Sequence, residues 1–405
     1  MRRSETAIVA LVAAVQFVNI LDFLMVMPMG PDFAVALGIP SSKLGYIGGS
    51  YTAAAAVSGL LGSLFLDRFD RRSALGVAML GLALGTAAGG LATGMGSLMA
   101  ARVLAGAFGG PATSLALSIV ADAVPPQRRG KAMGTVMAAF AAASVLGVPA
   151  GLELARRGGW RAPFFAVAAL GTVVTAGAVV LLPPLRGHLA SGWRELPGYS
   201  KLLRNPLVRV SYLMTAITMM SGFVLIPNIS PYVQYNLAYP RARLGLLYMS
   251  GGLVSLVTTQ LAGRLVDRYG SFRIGTAGTV LLAATVYSGF VREAPPVPVV
   301  AFFMLFMLAM GLRNVSYNTL TSRVPGPRER ARFMSLQSSI QHAASAAGAF
   351  LSSRILAELP DHRLSGMPLV ALLSIALTLC LPALLSVVES RVRAAEAARP
   401  LAPAA

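Results

Sequence analysis

Long apolar segments dominate this chain and limit what it can fold into. A helix that crosses the hydrocarbon core of a bilayer needs about 20 apolar residues, and twelve such segments can be placed along the 405 residues. Hydrophobic residues make up 56% of the chain and charged residues 12%, which is too little polar surface to cover a soluble globule. The segments lack the alternation typical of a membrane β-barrel. The sequence therefore predicts an all-α membrane protein.

The twelve predicted spans are joined mostly by short loops. They run roughly over residues 6–35, 44–66, 73–94, 97–122, 131–155, 162–184, 208–236, 244–266, 274–292, 297–321, 331–357 and 366–388. The polar stretch 185–207 is the longest interruption, and we predict that it links an N-terminal bundle, 1–184, to a C-terminal bundle, 208–390. Residues 391–405 are rich in Ala, Arg and Pro and are predicted to be a disordered cytoplasmic tail.

The distribution of basic residues predicts the orientation. With both termini placed in the cytoplasm, the inside regions hold 23 of the 34 Lys and Arg residues, as the positive-inside rule requires. The net charge of +19 is not the mark of a nucleic-acid binder, because the basic residues lie singly or in short runs between apolar segments. We expect a multi-pass, monomeric protein of the inner (plasma) membrane with the lipid bilayer as its partner and no nucleic acid.

Two loops indicate an internal duplication. Residues 67–72 (DRFDRR) close the second span, and residues 267–273 (DRYGSFR) close the eighth, about 200 residues later. A second repeated segment has nearly the same offset: residues 124–133 resemble residues 324–334. The chain is therefore predicted to contain two homologous halves of six spans.

The loop after the second span resembles the signature loop of the major facilitator superfamily, Gly-x-x-x-Asp-Arg-x-Gly-Arg-Arg. The first copy has Asp70 where a glycine is expected, and the second keeps Gly270 but has Ser271 where an arginine usually follows. The resemblance covers the whole chain. It implies twelve transmembrane helices in two pseudo-symmetric six-helix bundles.

The resemblance also implies gating roles for the charged loop residues. Asp67 would face the N-terminus of span 11, and Arg71 would pair with Asp122, so that the halves are latched when the inner side is closed. The other gating candidates are Arg68, Asp267 and Arg268. The alternative is that these charges only mark the inner surface and set topology.

Two further segments resemble motifs of the superfamily. Span 4 carries Arg102 in a sequence similar to the family's Arg-x-x-Gln-Gly motif, with Ala105 in place of the glutamine. Span 5 carries Gly147, Pro149 and Gly151, which resemble the Gly-Pro motif of the family's antiporters in the Gly-x-Pro-x-Gly form of its sugar-efflux-like and multidrug-like members. The resemblance favours proton antiport. Glycine and proline can also serve only to kink and pack a membrane helix, and that interpretation stays open.

Ionisable residues at membrane depth are functional candidates, because burying a charge in lipid is costly. Gln16, Asn19 and Asp22 share one helical face that we expect to line a central cavity. Asp22 is the only carboxylate deep within a span of the first half and is the predicted proton site. Burial favours its neutral form, while a cation such as Arg102 favours its charged form. The alternative is a permanent Asp22–Arg102 pair that joins spans 1 and 4.

Spans 10 and 11 hold the densest polar patch of the second half. Cavity candidates there are Arg313, Asn314, Tyr317, Asn318, Gln337 and Gln341. His342 is either a second proton carrier or a neutral packing residue. Two intramembrane arginines, Arg102 and Arg313, against one deep carboxylate also allow an organic anion as substrate.

No catalytic constellation, metal site or phosphate-binding loop is recognisable in the sequence, so neither an enzyme nor an ATP-driven pump is indicated. We expect a secondary transporter that works by alternating access around a mid-membrane site. It is predicted to export small drug-like or sugar-like molecules, with the proton gradient as energy source and no cofactor. A non-transporting membrane sensor of the same fold is the remaining alternative, but it would be expected to carry large soluble extensions.

Overall fold

The computed structural model describes residues 3–185, 199–292, 297–326 and 329–397, which form seventeen α-helices and one short β-hairpin. The helices are α1 (Arg3–Val26), α2 (Gly30–Leu37), α3 (Leu44–Phe65), α4 (Arg71–Gly90), α5 (Met95–Ala123), α6 (Pro126–Ala142), α7 (Val148–Gly158), α8 (Arg161–Leu181), α9 (Tyr199–Arg204), α10 (Pro206–Phe223), α11 (Ile229–Pro231), α12 (Leu244–Tyr269), α13 (Ser271–Val286), α14 (Val299–Ser322), α15 (Arg330–Ile355), α16 (Met367–Leu379) and α17 (Leu381–Ala397). We call the end of the bundle where α1 begins and α17 ends the terminal end, and the opposite end the distal end.

Membrane-spanning helices account for most of the described chain. Ten helical segments are long and apolar enough to cross a bilayer. Helix α3, with 22 residues, and helix α15, with 26, supply the two further segments of spanning length. Helix α15 is the more polar of the two because it carries Gln337, Gln341 and His342. The prediction of an all-α membrane protein is confirmed.

Helices α1–α8 and α10–α17 form two bundles with matching packing. In the first, α5 packs against α3 and α4; in the second, α14 packs against α12 and α13. Glycines allow backbones to approach: a Cβ on Gly85 would lie 2.5 Å from the Ala105 nitrogen, and one on Gly278 would lie 2.8 Å from the Arg313 nitrogen. The bundles meet chiefly through α3 with α15 and α7 with α12.

The first span of each bundle is broken near the distal end. Helix α1 ends at Val26 and α2 begins at Gly30, while α10 ends at Phe223 and a 3₁₀ turn follows over Ile226–Asn228. Pro28 and Pro227 lie in these breaks, and proline cannot donate the backbone hydrogen bond that continues a helix. The predicted spans 6–35 and 208–236 are therefore interrupted at matching positions of the two halves.

The linker and the C-terminal segment contain more helix than the sequence indicated. Helix α9 lies within the linker 185–207, of which residues 186–198 are outside the described residues. Helix α17 continues to Ala397, so residues 391–397 of the predicted disordered tail are helical, and residues 398–405 are outside the described residues. Buried Val392 extends the helix because it packs in one apolar cluster with Leu385 and Val388.

A short hairpin lies at the distal end between α15 and α16. Strand β1 (Ala357–Glu358) pairs antiparallel with β2 (Leu364–Ser365), with Glu358 opposite Leu364. It brings Glu358 to the boundary between the two bundles. The contacts of Glu358 there are part of the candidate site.

Candidate functional site

A buried ion pair joins the first and fourth spans. Arg102 on α5 donates to both carboxylate oxygens of Asp22 on α1, with N···O distances of 2.9 and 2.8 Å. The hydroxyl of Thr86 on α4 donates to Asp22 Oδ1 at 2.7 Å. Asp22 is 0% exposed and Arg102 1% exposed, so the pair is closed off from solvent. The two buried charges are thus held together by a bidentate ion pair, and Arg102 Nε has no hydrogen bond among the described residues.

A chain of neutral groups leads from this pair through α3 to Asn19 of α1 and back to α5. The Arg102 guanidinium lies 4.6 Å from the centre of the Tyr51 ring, a cation–π contact. The Tyr51 hydroxyl donates to Asn19 Oδ1 at 2.9 Å. The Asn19 amide in turn donates to the Gly109 carbonyl at 2.9 Å and to the Thr113 hydroxyl at 2.6 Å. Asp22 and Asn19 are therefore coupled through Arg102 and Tyr51.

The polar face of α1 is directed into its own bundle. Asn19 and Asp22 bind α3, α4 and α5, and all three helices belong to the first half. Gln16 is also buried, and its Oε1 atom has no hydrogen-bond partner within the described part of the chain. Phe23, the residue after Asp22, contacts the second half: its ring stacks on Phe223 of α10 with 6.1 Å between the ring centres. Phe23 also lies 5.3 Å from the Tyr51 ring.

Arg313 on α14 is fully buried among hydroxyls and a carbonyl. Its Nη1 atom donates to Ser221 Oγ at 2.8 Å and to Thr378 Oγ1 at 3.3 Å, and its Nη2 atom donates to the Thr218 carbonyl at 3.2 Å. Within the described part of the chain, Arg313 has no carboxylate partner, and its Nε atom has no hydrogen bond. The cation is solvated by dipoles instead of being neutralised by a counter-charge.

The other polar candidates of α14 and α15 fall into three groups. Gln341 donates to the Tyr317 hydroxyl at 2.9 Å, which joins the two helices. Asn314 Oδ1 and Gln337 Oε1 are buried without a partner among the described residues. Two further candidates, exposed Asn318 and half-buried His342, complete the set, and His342 forms no hydrogen bond with a described residue.

The Gly-Pro motif of the fifth span lies where α1 and the second bundle meet it. Gly147 ends a π-helical turn, Ala143–Gly147, that precedes α7. A Cβ on Gly147 would lie 2.7 Å from Leu21 Cδ1, and one on Gly151 would lie 3.8 Å from Met25 Cβ. Pro149 is the second residue of α7. The motif thus allows close packing against the helix that carries Asp22.

The two signature loops lie at the terminal end. Arg71 pairs with Asp122 at the end of α5, and Arg68 is exposed. The Asp67 side chain is outside the described residues. In the second copy Asp267 and Arg268 are exposed, and the Arg268 guanidinium lies 5.3 Å from the centre of the Tyr269 ring.

Contacts between the halves at the distal end were not predicted from the sequence. Arg241 donates to both oxygens of Asp32, with N···O distances of 2.7 and 2.5 Å. Lys43 donates to the Ser353 carbonyl at 3.0 Å. Glu358 of the β-hairpin accepts from the backbone N–H of Ser41. We call these contacts the distal lock, because they join the first half to the second at one end.

Two more features place the halves in close contact at this end. The Ser230 hydroxyl donates to the Pro28 carbonyl at 2.7 Å. A Cβ on Gly45 would lie 2.2 Å from the Ala349 carbonyl oxygen, so only glycine permits this approach of α3 to α15. A sequence signal does exist for the region: residues 40–45 (PSSKLG) recur as residues 240–245 (PRARLG) with the same offset as the signature loops.

Comparisons with known proteins agree with this architecture. The family model described as Major Facilitator Superfamily matches residues 12–349 and 211–403. A "Chloramphenicol resistance protein" of Streptomyces lividans is 28% identical over 300 residues, which is 73% of this chain and 74% of that relative.

Solved structures show the same fold. A bacterial homologue of the human lysosomal transporter Spinster, in an inward-facing and unoccupied conformation, has a TM-score of 0.74 at 16% identity and covers 100% of both chains. A D-xylose–proton symporter has a TM-score of 0.73 at 17% identity and covers 93% of this chain and 96% of its own. Both have the twelve-helix fold that the apolar segments and the family resemblance predict. The chain belongs to the Major Facilitator Superfamily of transporters.

Proposed function

We propose that this transporter exports small drug-like organic molecules in exchange for protons, by alternating access between the terminal and the distal end. The observation on which this rests is the fully buried Asp22–Arg102 pair, beside a contact between the two halves. The "Chloramphenicol resistance protein" relative supports an export role. The basic loops at the terminal end support a cytoplasmic position for that end in the inner (plasma) membrane.

Proton coupling is proposed to act through Asp22. Protonation would remove the carboxylate charge that binds Arg102 and leave the guanidinium with a weaker, neutral acceptor and its contact with the Tyr51 ring. Because the Tyr51 hydroxyl binds Asn19, a shift of Arg102 would reach α1 one turn nearer the terminal end. Loss of the proton would restore the pair. The protonation state of one buried carboxylate would thus favour one of two arrangements of α1, α3 and α5.

The substrate class is proposed from the aromatic contact between the halves and from buried acceptor oxygens that have no partner among the described residues. Phe23 and Phe223 offer aromatic surface between the bundles. Gln16, Asn314 and Gln337 each keep a buried side-chain oxygen without a partner in the described residues. Such acceptors suit hydroxyl and amide donors of a ligand. A neutral aromatic compound with hydroxyl or amide groups, such as chloramphenicol, fits both features better than a sugar, which lacks an aromatic ring.

Asp22→Asn is expected to abolish proton-driven export and to retain substrate counterflow. The amide cannot carry the proton, but it preserves the shape of the site. The measurement is labelled chloramphenicol transport in proteoliposomes, with and without a pH gradient. Glu153→Gln is the matched control, since Glu153 is an exposed carboxylate paired with Arg156 and Arg157. Gradient-driven export that equals the wild-type rate in Asp22→Asn would refute the proton role.

Arg313 supports a second candidate, transport of an organic anion. It is a buried cation without a carboxylate partner among the described residues, so an anionic ligand would supply the missing counter-charge. In proteoliposomes, a labelled aromatic carboxylate is compared with labelled chloramphenicol. Transport of the carboxylate alone, lost in Arg313→Met, would favour the anion over the neutral compound.

A further inference from the structure

The first signature loop contains a carboxylate that caps the third span. Asp70 Oδ1 accepts from the backbone N–H of Arg72 at 2.9 Å, which makes Asp70 the N-cap of α4. The same oxygen accepts from the backbone N–H of Leu185, just beyond α8, at 3.3 Å. Asp70 replaces the family's loop glycine and joins the start of the third span to the end of the sixth.

The second loop has glycine at the matching position, and its carboxylate comes from elsewhere. Gly270 has a φ of 89° and no side chain that could cap α13. Instead, Glu389 on α17 accepts from the backbone N–H of Phe272 through Oε2, at 2.5 Å. Glu389 is 7% exposed, and its other oxygen pairs with Arg393.

The two capped backbone N–H groups lie at equivalent positions of the two halves. Arg72 and Phe272 stand 200 residues apart in the numbering, and each is the residue whose N–H is capped. In the first half the carboxylate lies on the loop and reaches the end of the last span. In the second half it lies on the last span and reaches the loop. A Cβ on Gly270 would lie 2.6 Å from Glu389 Oε1, so the glycine leaves space for the incoming carboxylate.

We propose that Asp70 and Glu389 serve the same function in the two halves. In the first half the carboxylate comes from the loop, and in the second it comes from the last span. Each is a positioning residue that fixes the first three spans of its half to the last three at the terminal end. A free helix N-terminus carries unpaired N–H groups and partial positive charge, which a carboxylate satisfies. Each half then moves as one body in the transport cycle. The inference rests on the proposed alternating access.

A double-mutant cycle in the second half tests the proposal. Glu389→Ala removes the cap, and Gly270→Asp introduces a side chain into an occupied site with an unfavourable φ. Each is expected to lower the melting temperature by about 2–4 °C. The double variant Gly270→Asp/Glu389→Ala removes the clash and places a carboxylate at the position of Asp70, while the unfavourable φ remains, so its loss is expected to be smaller than the sum of the two single losses. Losses that simply add would overturn the proposal.

A transport measurement separates positioning from general loss of structure. With the rate normalised to the number of ligand-binding sites, Glu389→Ala is expected to lower Vmax several-fold and to leave KM unchanged. Glu389→Gln, which keeps an acceptor oxygen, is expected to retain most of the rate. Glu329→Ala is the matched control, because Glu329 precedes α15 without a side-chain cap bond. A changed KM, or an unchanged Vmax in Glu389→Ala, would contradict the role.

The two readouts also separate this inference from the proposed function. The melting-temperature cycle uses protein without substrate, so its outcome does not depend on whether chloramphenicol is transported. If the losses in melting temperature are less than additive and no chloramphenicol transport is found, the positioning role of Glu389 stands and the proposed substrate is wrong. If chloramphenicol is exported and the losses add, the positioning role is wrong and the transport function stands.

Discussion

Replacement of Arg102 with methionine is expected to destabilise the folded protein by about 3–5 kcal/mol, the cost of breaking a buried ion pair from one side. Among the described residues, Asp22 would keep only the Thr86 hydroxyl as a side-chain hydrogen-bond donor, and the carboxylate is 0% exposed. The measurement is thermal unfolding of the purified protein in detergent. Arg156→Met is the control, because the Arg156–Glu153 pair is exposed and should contribute little.

The double variant Asp22→Asn/Arg102→Met tests whether the loss of stability in Arg102→Met comes from the Asp22 carboxylate that has lost its partner. Two neutral side chains of similar size need no counter-charge, so the double variant is expected to be more stable than Arg102→Met alone. Equal stability of the two variants would show that packing around Arg102, and not its charge, is the stabilising feature. An Arg102→Met protein as stable as the wild type would contradict the importance of the pair altogether.

The fold was predictable because two independent signals agree. Apolar segments of bilayer length predict membrane-spanning helices, because a helix forms the hydrogen bonds of its backbone N–H and C=O groups within the segment, where lipid offers no partner. The repeated loops around Asp67 and Asp267 then fix the number of halves. Helix ends were less predictable. An apolar segment continues through Pro28 or Pro227 without a change in composition, so hydropathy alone does not mark the break.

The direction of side chains was harder to predict than their depth. Asp22 and Arg102 were recognised as buried charges from their position in apolar segments, and their pairing was one of two alternatives. An apolar helix gives little contrast between its faces, so the sequence did not show that Asn19 and Asp22 turn toward α4 and α5. Phe23, by contrast, contacts Phe223 of the second half. Only tertiary packing distinguishes these faces.

The role of Asp70, which departs from the family motif, could be predicted only in part from the sequence. Its carboxylate makes it an N-cap, and this role is visible from the sequence because Asp is a favoured capping residue. Its counterpart, Glu389, lies more than a hundred residues from Gly270. No local pattern connects them. The distal lock is similar, since Asp32 and Arg241 come from different halves.

Arg241→Glu is expected to open the distal lock, because a carboxylate would then face Asp32 where a bidentate ion pair now forms. The pair is about a quarter exposed on each side, at 26% for Arg241 and 22% for Asp32. A charge-assisted hydrogen bond of this kind stabilises the contact between the two halves by about 1.5–3 kcal/mol. Its loss should shift the protein toward states that are open at the distal end.

Alkylation of a buried distal cysteine measures this shift. Ser42 is 2% exposed, and Ser42→Cys can be made in a Cys380→Ser background, which removes the native thiol. With a membrane-impermeant maleimide, Arg241→Glu is expected to raise the alkylation rate about tenfold or more. Arg243→Glu is the matched control, since Arg243 is an exposed neighbour with no ion pair among the described residues.

The charge-reversed variant Asp32→Arg/Arg241→Asp completes the test. It restores an attractive pair in the opposite sense and is expected to bring the alkylation rate back toward the wild-type value. Gly45→Ala should raise the rate by a different route, because its Cβ would press on the Ala349 carbonyl and keep α3 from α15. If Gly45→Ala raises the rate and Arg241→Glu does not, steric contact closes the distal end and the ion pair is only an accessory. If neither raises it, the distal contacts do not control access.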